Sequence, residues 1–230
     1  LVLYTSDAGR TRLDLRLDGQ TVWLTHLALA APPPPPKPHV SPHAPPPPLL
    51  QGGRAEALQG RTALVTGASR GIGARVAERL ALAGARVWLL ARSAGALDEV
   101  AVRTGATPLV ADLTDEGDVW DVLDRLQDEL GGAPDTVVNA AGVFALAPVA
   151  ETSVNALDDH LAVNLRGAFL VTRALLPAML ERGSGLIVNV GSVAGRKAFP
   201  GNAAYSASKY GLRGFHEVLL EEVRGTGVRA

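Results

Sequence analysis

Eleven of the chain's 16 prolines lie between Pro32 and Pro48, nine of them in the blocks Pro32–Pro36 and Pro45–Pro48. Proline fixes φ and offers no backbone donor, so this stretch cannot enter a helix or a sheet interior. It reads as an extended, solvated polyproline-II spacer, semi-rigid along its length. A ligand for a proline-recognition domain is the other use of such a stretch, and a linker is the plainer one. The 230 residues thereby divide into a short module over 1–30, a linker over 31–57 and a region over 58–230 that must hold the core. With 47% hydrophobic and 20% charged residues, the chain can bury a core of one full domain. Its 22 basic and 23 acidic residues leave a net charge of −1, which supplies no field for nucleic acid or an anionic membrane. The expected partner is a small molecule. Cysteine is absent, which removes disulfides, zinc–thiolate sites and thiol nucleophiles and fits a reducing, cytoplasmic compartment. No run approaches the length of a membrane span, and no charged-then-apolar leader opens the chain.

In the first module Leu13, Leu15 and Leu17 alternate with Asp14, Arg16 and Asp18, and Asp18-Gly19 precedes Thr21-Val22-Trp23-Leu24. Alternation on both sides of an Asp-Gly pair predicts a β-hairpin, too small to be stable alone. The wording Leu3-Tyr4, Asp7-Ala8-Gly9-Arg10-Thr11 and Leu13–Leu17 resembles, over residues 1–28, the opening of RhuM-type virulence-associated proteins. In that family a winged DNA-binding region follows. Here it does not.

From Arg61 the pattern changes to short apolar runs separated by helix-length amphipathic stretches, which predicts a parallel sheet covered by helices on both faces. Strands are expected near 62–66, 86–91, 107–111, 136–139 and 186–190, and helices near 72–83, 116–130, 154–181 and 203–224. Residues 228–230 read as a sixth strand just beginning. The fold class is a Rossmann-type, doubly wound α/β sheet, truncated at that strand.

The first strand runs into Thr66-Gly67-Ala68-Ser69-Arg70-Gly71-Ile72-Gly73 and then a helix. Glycines at such a turn let the backbone approach a pyrophosphate, whose charge the amides and dipole of the helix N-terminus meet. Gly67 would form the tight turn, with Gly71 and Gly73 allowing close approach. The spacing is Gly-x-x-x-Gly-x-Gly, not the commoner Gly-x-Gly-x-x-Gly, and an ordinary glycine turn is the alternative. After the second strand stands Arg92, where an acidic residue would grip a ribose 2′-hydroxyl. A guanidinium there, with Arg70 beside it, attracts a 2′-phosphate, so NADP(H) is preferred and NAD(H) is possible. Taken singly, each arginine is equally a solvated surface charge.

Tyr205 and Lys209 stand four residues apart on a predicted helix, one turn apart on the same face. An ammonium beside a phenol favours the phenolate and brings it into range for acid–base work. Alone, such a pair is also a lysine snorkelling over an aromatic. Gly191-Ser192 follows the fifth strand at the carboxyl edge of the sheet, where a serine hydroxyl can hold a carbonyl oxygen near the phenol or merely cap a turn.

Together with Asp112-Leu113, Asn139-Ala140-Ala141-Gly142 and Val163-Asn164, these stretches resemble, from residue 58 to 230, the short-chain dehydrogenase/reductase family in order and spacing. The resemblance implies Tyr205 as general acid/base, Lys209 binding the nicotinamide ribose and lowering the tyrosine pKa, and Ser192 orienting the substrate carbonyl. It makes Asn164 the helix-kinking member of a proton relay. Ser69, Arg70, Ile72, Asp112, Leu113, Asn139, Ala140 and Gly142 would line the cofactor beside the turn glycines and Arg92. The implied reaction is reversible hydride transfer to a carbonyl or from a secondary alcohol, with no metal, by a homodimer or homotetramer. Family members continue past Ala230 with a Pro-Gly loop and a substrate lid, so a chain that opens on Leu1 reads as a fragment with weak activity. The alternative is a fragment that binds cofactor and turns nothing over.

Overall fold

The computed structural model describes residues 13–18, 21–26 and 57–230, so the linker expected over 31–57 falls outside the described residues up to residue 56. Strands β1 (Leu13–Asp18) and β2 (Thr21–His26) pair antiparallel, with Leu15 opposite Leu24 and Leu17 opposite Val22. A second, six-stranded sheet follows in the rest of the chain.

Its elements run β3 (Thr62–Thr66), α1 (Gly71–Leu82), β4 (Arg86–Ala91), α2 (Ala94–Thr104), β5 (Thr107–Val110), α3 (Glu116–Leu130) and β6 (Thr136–Asn139). Then come α4 (Val154–Leu161), α5 (Gly167–Arg182), β7 (Gly185–Asn189), α6 (Ala203–Glu222) and β8 (Val228–Arg229). The spatial order is β5-β4-β3-β6-β7-β8, every neighbouring pair parallel. Between β3 and β6 the winding direction reverses, and the crevice at their carboxyl ends is where an open α/β sheet takes a ligand. Pro108 sits on β5, at an edge where a missing amide costs no central ladder bond.

Alternate strand residues enter opposite layers. Leu64, Trp88, Leu90, Val137 and Ile187 join Leu123, Leu126, Leu175 and Met179 from α3 and α5 in one cluster. Ala63, Val65, Val87, Leu89 and Val138 join Ala74, Ala77, Leu97 and Val100 from α1 and α2 in the other. A leucine buried as fully as Leu64 or Leu175 contributes about 1.5–3 kcal/mol relative to exposure.

Two elements differ from expectation. The stretch after β4, left without a helix in the sequence, forms α2, which Ser93 precedes and Gly105 ends in the left-handed conformation at φ 67°. It buries only Leu97 and Val100, so its apolar stripe is too thin to announce itself. The helix expected over 154–181 is instead α4, a π-helical turn over Ala162–Arg166, and α5. The full helical stretch, Val154–Arg182, is long enough to cross a bilayer and contains an 18-residue window with a mean hydropathy of 1.2, but half of that window is buried within the protein. Leu170, Val171, Leu175 and Met179 are core residues.

The amino ends of β3 and β6 are tied by Asp135. Its Oδ2 accepts from the Thr62 amide and from the Thr62 hydroxyl, both at 2.9 Å, and the Asp135 amide donates back to Thr62 Oγ1 at 2.9 Å. Burial works to raise the Asp135 carboxyl, but the two Thr62 donors, with Arg182 and Arg61 nearby, outweigh it and hold the group below the usual carboxylate range. A depressed carboxylate contributes stability that is present above its unfolded-state pKa and lost as pH falls through the folded one. Asp135→Asn is therefore expected to lower the denaturant midpoint at neutral pH, the gap to wild type narrowing as pH falls below about 4. A gap that stays constant on acidification would remove Asp135 as an acid-sensitive tie.

Candidate active site

Gly67 leaves β3 at φ 63°, and a Cβ there would stand 2.5 Å from Ala141 Cα, so the turn after β3 touches the backbone after β6. Thr66, 1% exposed, fastens the same contact: its hydroxyl oxygen accepts from the Ala140 amide at 3.1 Å and the Ala141 amide at 3.2 Å. At Gly73 a Cβ would lie 2.3 Å from the Gly67 carbonyl oxygen, which packs α1 onto the turn. Gly71 is different. It needs glycine for its φ of 59°, yet a Cβ there would meet nothing within 4 Å. The cradle is thus open at Gly71, and α1 begins behind it with no acidic residue in its first turn and an extended, exposed Arg70 at its N-cap. Backbone amides, a helix dipole and open space suit a pyrophosphate. Ser69 and Ile72 flank the opening, Ile72 also packing on the α1 layer.

Beyond β4, Arg92 pairs with Asp112, Nη1 to Oδ2 at 3.4 Å, while Asp112 Oδ1 accepts from the Thr114 amide and hydroxyl at 2.9 and 2.8 Å. Burial works to raise Asp112, and the Thr114 donors with Arg92 outweigh it, leaving the carboxyl below its ordinary value. Leu113 turns the other way into the core against Gly167. Asn139 also turns inward: its Nδ2 donates to Asn189 Oδ1 at 2.9 Å and to Thr172 Oγ1 at 3.3 Å. Of the 139–142 loop, the backbone of Ala140 and Ala141 faces the glycine turn, and Gly142 approaches Asn164.

Asn164 is 1% exposed in the π-helical turn. Its Oδ1 accepts from the Val143 amide at 2.7 Å, and its Nδ2 donates to the Val143 carbonyl and to Ser208 Oγ, both at 3.0 Å. Ser208 in turn donates to the Tyr205 carbonyl at 2.7 Å, which links the turn to α6. On α6 the buried Lys209 donates from Nζ to the Val190 carbonyl at 2.8 Å and sits 5.9 Å from the centre of the Tyr205 ring. Ser192, held by its Oγ accepting from the Ala194 amide at 3.1 Å, lies beside the Tyr205 phenol. Tyr205 is enclosed by Phe144 and His160, ring centres 4.8 and 6.2 Å away, both edge-on.

Burial raises the Tyr205 phenol above its ordinary value, with the nearby Ser192 hydroxyl pulling the other way. Burial pushes the Lys209 ammonium down to about 8. The expected lowering of the phenol by the ammonium is not what this geometry gives, because desolvation of both groups dominates. A cavity of about 290 Å³ opens between Arg92 and Thr114 at one end and Phe144 and His160, the ring neighbours of Tyr205, at the other.

The structure therefore gathers Asn164, Ser192, Tyr205 and Lys209 beside the glycine turn and sets Arg92 and Asp112 farther along one crevice. It withdraws Leu113 and the Asn139 side chain into the core. Three contributors went unassigned in the sequence: Thr66, Ser208 and His160. Ser208 lies three residues after Tyr205, and His160 four before Asn164 on the same predicted helix, which is the spacing that could have exposed them.

The profile of the family described as short chain dehydrogenase matches residues 61–230. D-threitol dehydrogenase of Mycolicibacterium smegmatis is 40% identical over 177 residues, covering 75% of this chain and 68% of that protein. A short chain dehydrogenase of Pseudocercospora fijiensis is 40% identical over 179 residues, covering 74% of this chain and only 57% of its own length. The crystal structure of a metagenomic short-chain oxidoreductase in complex with NADP superposes with a TM-score of 0.72 at 37% identity, covering 75% of this chain and 80% of that one. A six-stranded parallel sheet, a tyrosine–serine pair beside a glycine cradle and these likenesses converge: the chain belongs to the short-chain dehydrogenase family of oxidoreductases.

Proposed function

We propose that residues 58–230 form an NADPH-preferring oxidoreductase domain that interconverts a carbonyl and a secondary alcohol, with Tyr205 as its general acid/base. Residues 1–30 and 31–57 are an appended hairpin and linker, and the likeness of 1–28 to RhuM-type proteins carries no part of the function. The observation that carries the proposal is the gathering of Tyr205, buried Ser192 and buried Lys209 at the carboxyl edge of the sheet, across from an open glycine cradle. When bound, the nicotinamide supplies or accepts the hydride.

The chain's own residues do the rest. The α1 amides, Gly67, Ser69, Gly71, Ile72 and Gly73 hold the pyrophosphate, and Arg70 with Arg92 meet a ribose 2′-phosphate. Asp112 and the backbone of the 139–142 loop line the adenine and ribose, and Lys209 reaches a ribose hydroxyl. Ser192 donates to the carbonyl oxygen, and Tyr205 transfers its phenolic proton to that oxygen during reduction or takes it back during oxidation. A phenol kept protonated by burial suits the donor role. Asn164, fully bonded at its side chain, fixes the π-helical turn beside them. A relative solved with NADP supports the cofactor choice, and Arg92 supports the 2′-phosphate. Phe169, Tyr210 and Val218, apolar and exposed on α5 and α6, support a homodimer or homotetramer through those helices. A cytoplasmic location rests on the cysteine-free composition.

Turnover is read as loss of NADPH absorbance with a panel of ketones and 3-oxoacyl thioesters. Tyr205→Phe should bind NADPH as wild type does while kcat falls by roughly 10²–10⁴-fold. Unchanged turnover removes Tyr205 from the chemistry, and NADPH binding without any turnover by wild type leaves a cofactor-binding protein. Arg92→Asp is expected to weaken NADPH binding by about tenfold or more and to leave NADH binding unharmed. Equal losses for both cofactors would deny Arg92 a 2′-phosphate.

A further inference from the structure

We infer that His160 is a positioning residue for proton transfer: its imidazole latches the backbone at Ala145 to α4 and so holds the Phe144 ring against the Tyr205 phenol. This deepens the proposal above and rests on Tyr205 being the proton-transfer group.

His160 is 4% exposed, and both of its ring nitrogens are engaged. The Ala145 amide donates to Nε2 at 3.1 Å. A nitrogen that accepts from an N–H carries no proton, so the proton sits on Nδ1, which lies 2.6 Å from the Ala156 carbonyl and donates to it. One neutral tautomer fits these partners. Asn164, four residues on, takes both the amide and the carbonyl of Val143. Val143 and Ala145 are thereby fixed to one helical face by two side chains a turn apart, and Phe144 lies between the fixed points.

Phe144 itself is 62% exposed, so surrounding side chains do not hold it in place. Yet its ring stands edge-on to Tyr205 at 4.8 Å with an interplanar angle of 86°. The backbone anchors on either side are what determine that position. His160 adds a direct edge contact to the phenol at 6.2 Å and shares the wall of the 290 Å³ cavity with Val143, Phe144 and Ala145. Loss of the Nε2 acceptor would leave the Ala145 amide without its partner and free Phe144 to lift from the phenol.

His160→Phe keeps a ring beside Tyr205 and removes the acceptor, whereas His160→Gln restores an acceptor and a donor on a similar reach. Both are expected to melt cooperatively and to bind NADPH as wild type does. His160→Phe should lose roughly tenfold to a hundredfold in kcat, the scale of a small misplacement of a reacting group, and His160→Gln should recover most of it. Full turnover by His160→Phe, or an equal loss in His160→Gln, overturns the latch. A second readout does not need turnover: ultraviolet titration of the phenolate, with Tyr205 assigned by difference from Tyr205→Phe. In His160→Phe the Tyr205 titration should move down toward about 10 as its cover lifts, and in His160→Gln it should stay with wild type. An unmoved titration in His160→Phe also overturns the latch. A wild-type chain inert toward every carbonyl counts against the oxidoreductase proposal alone, since the titration still tests His160.

Discussion

Every group at the carboxyl edge takes its place from the contact between the turn after β3 and the loop after β6. Thr66 Oγ1 accepts two successive amides, from Ala140 and Ala141, and Gly67 lets those backbones touch where any Cβ would collide with Ala141. A hydroxyl shared between two successive amides is a short, directional tie, and the Ala141 amide has no other acceptor among the described residues, so leaving it unpaired would cost about 1–3 kcal/mol. From that tie the loop continues to Gly142, close beneath Asn164 and Lys209, so the cradle and the proton-transfer group share one framework. The reversal of winding between β3 and β6 creates the crevice, and this contact fixes its width.

Within the crevice, desolvation outranks pairwise attraction. Lys209 has a good acceptor in the Val190 carbonyl, and the ammonium is still driven from 10.5 to about 8. Tyr205 has the Ser192 hydroxyl beside it, and its phenol is still raised. Both shifts favour the uncharged form, as expected where water is excluded. A negative ligand charge approaching Lys209 would restore the ammonium. Its protonation is therefore coupled to what occupies the crevice, more than to its distance from the phenol.

The alternation of apolar runs and amphipathic stretches was enough to read a parallel sheet, because Leu64, Trp88 and Val137 point to one layer while Val65, Leu89 and Val138 point to the other, leaving no polar face. The Tyr205–Lys209 and Gly67–Gly71–Gly73 spacings were legible because each is local. What was not legible depends on distant partners. Leu113 looked like a cofactor neighbour in the sequence and is core because Gly167 leaves room for it. The split of the long helix was hidden because a π-helical turn leaves no compositional mark: Asn164 is held there by Val143 and Ser208, residues 21 and 44 positions away. α2 escaped notice for a plainer reason, having only two buried side chains to mark a face.

The stretch from Val154 to Arg182 shows how few polar contacts are needed to place a helix whose core-facing side is apolar. Apolar burial is non-directional, so on its own it would let such a helix rotate or slide with little penalty. Three polar side chains along it bond to the β6 strand and the loop that follows, in reversed order: Thr172 meets Asn139, Asn164 meets Val143 and His160 meets Ala145. Slipping the helix by one residue would break all three at once, and each would strand a buried polar group on both sides. The π-helical turn lies between the first and last of these contacts. An extra residue there alters the phase of the helix, which is what allows one element to meet the strand end with Thr172 and the loop with His160. The same register that seats the helix in the core thus delivers Asn164 and His160 to the crevice.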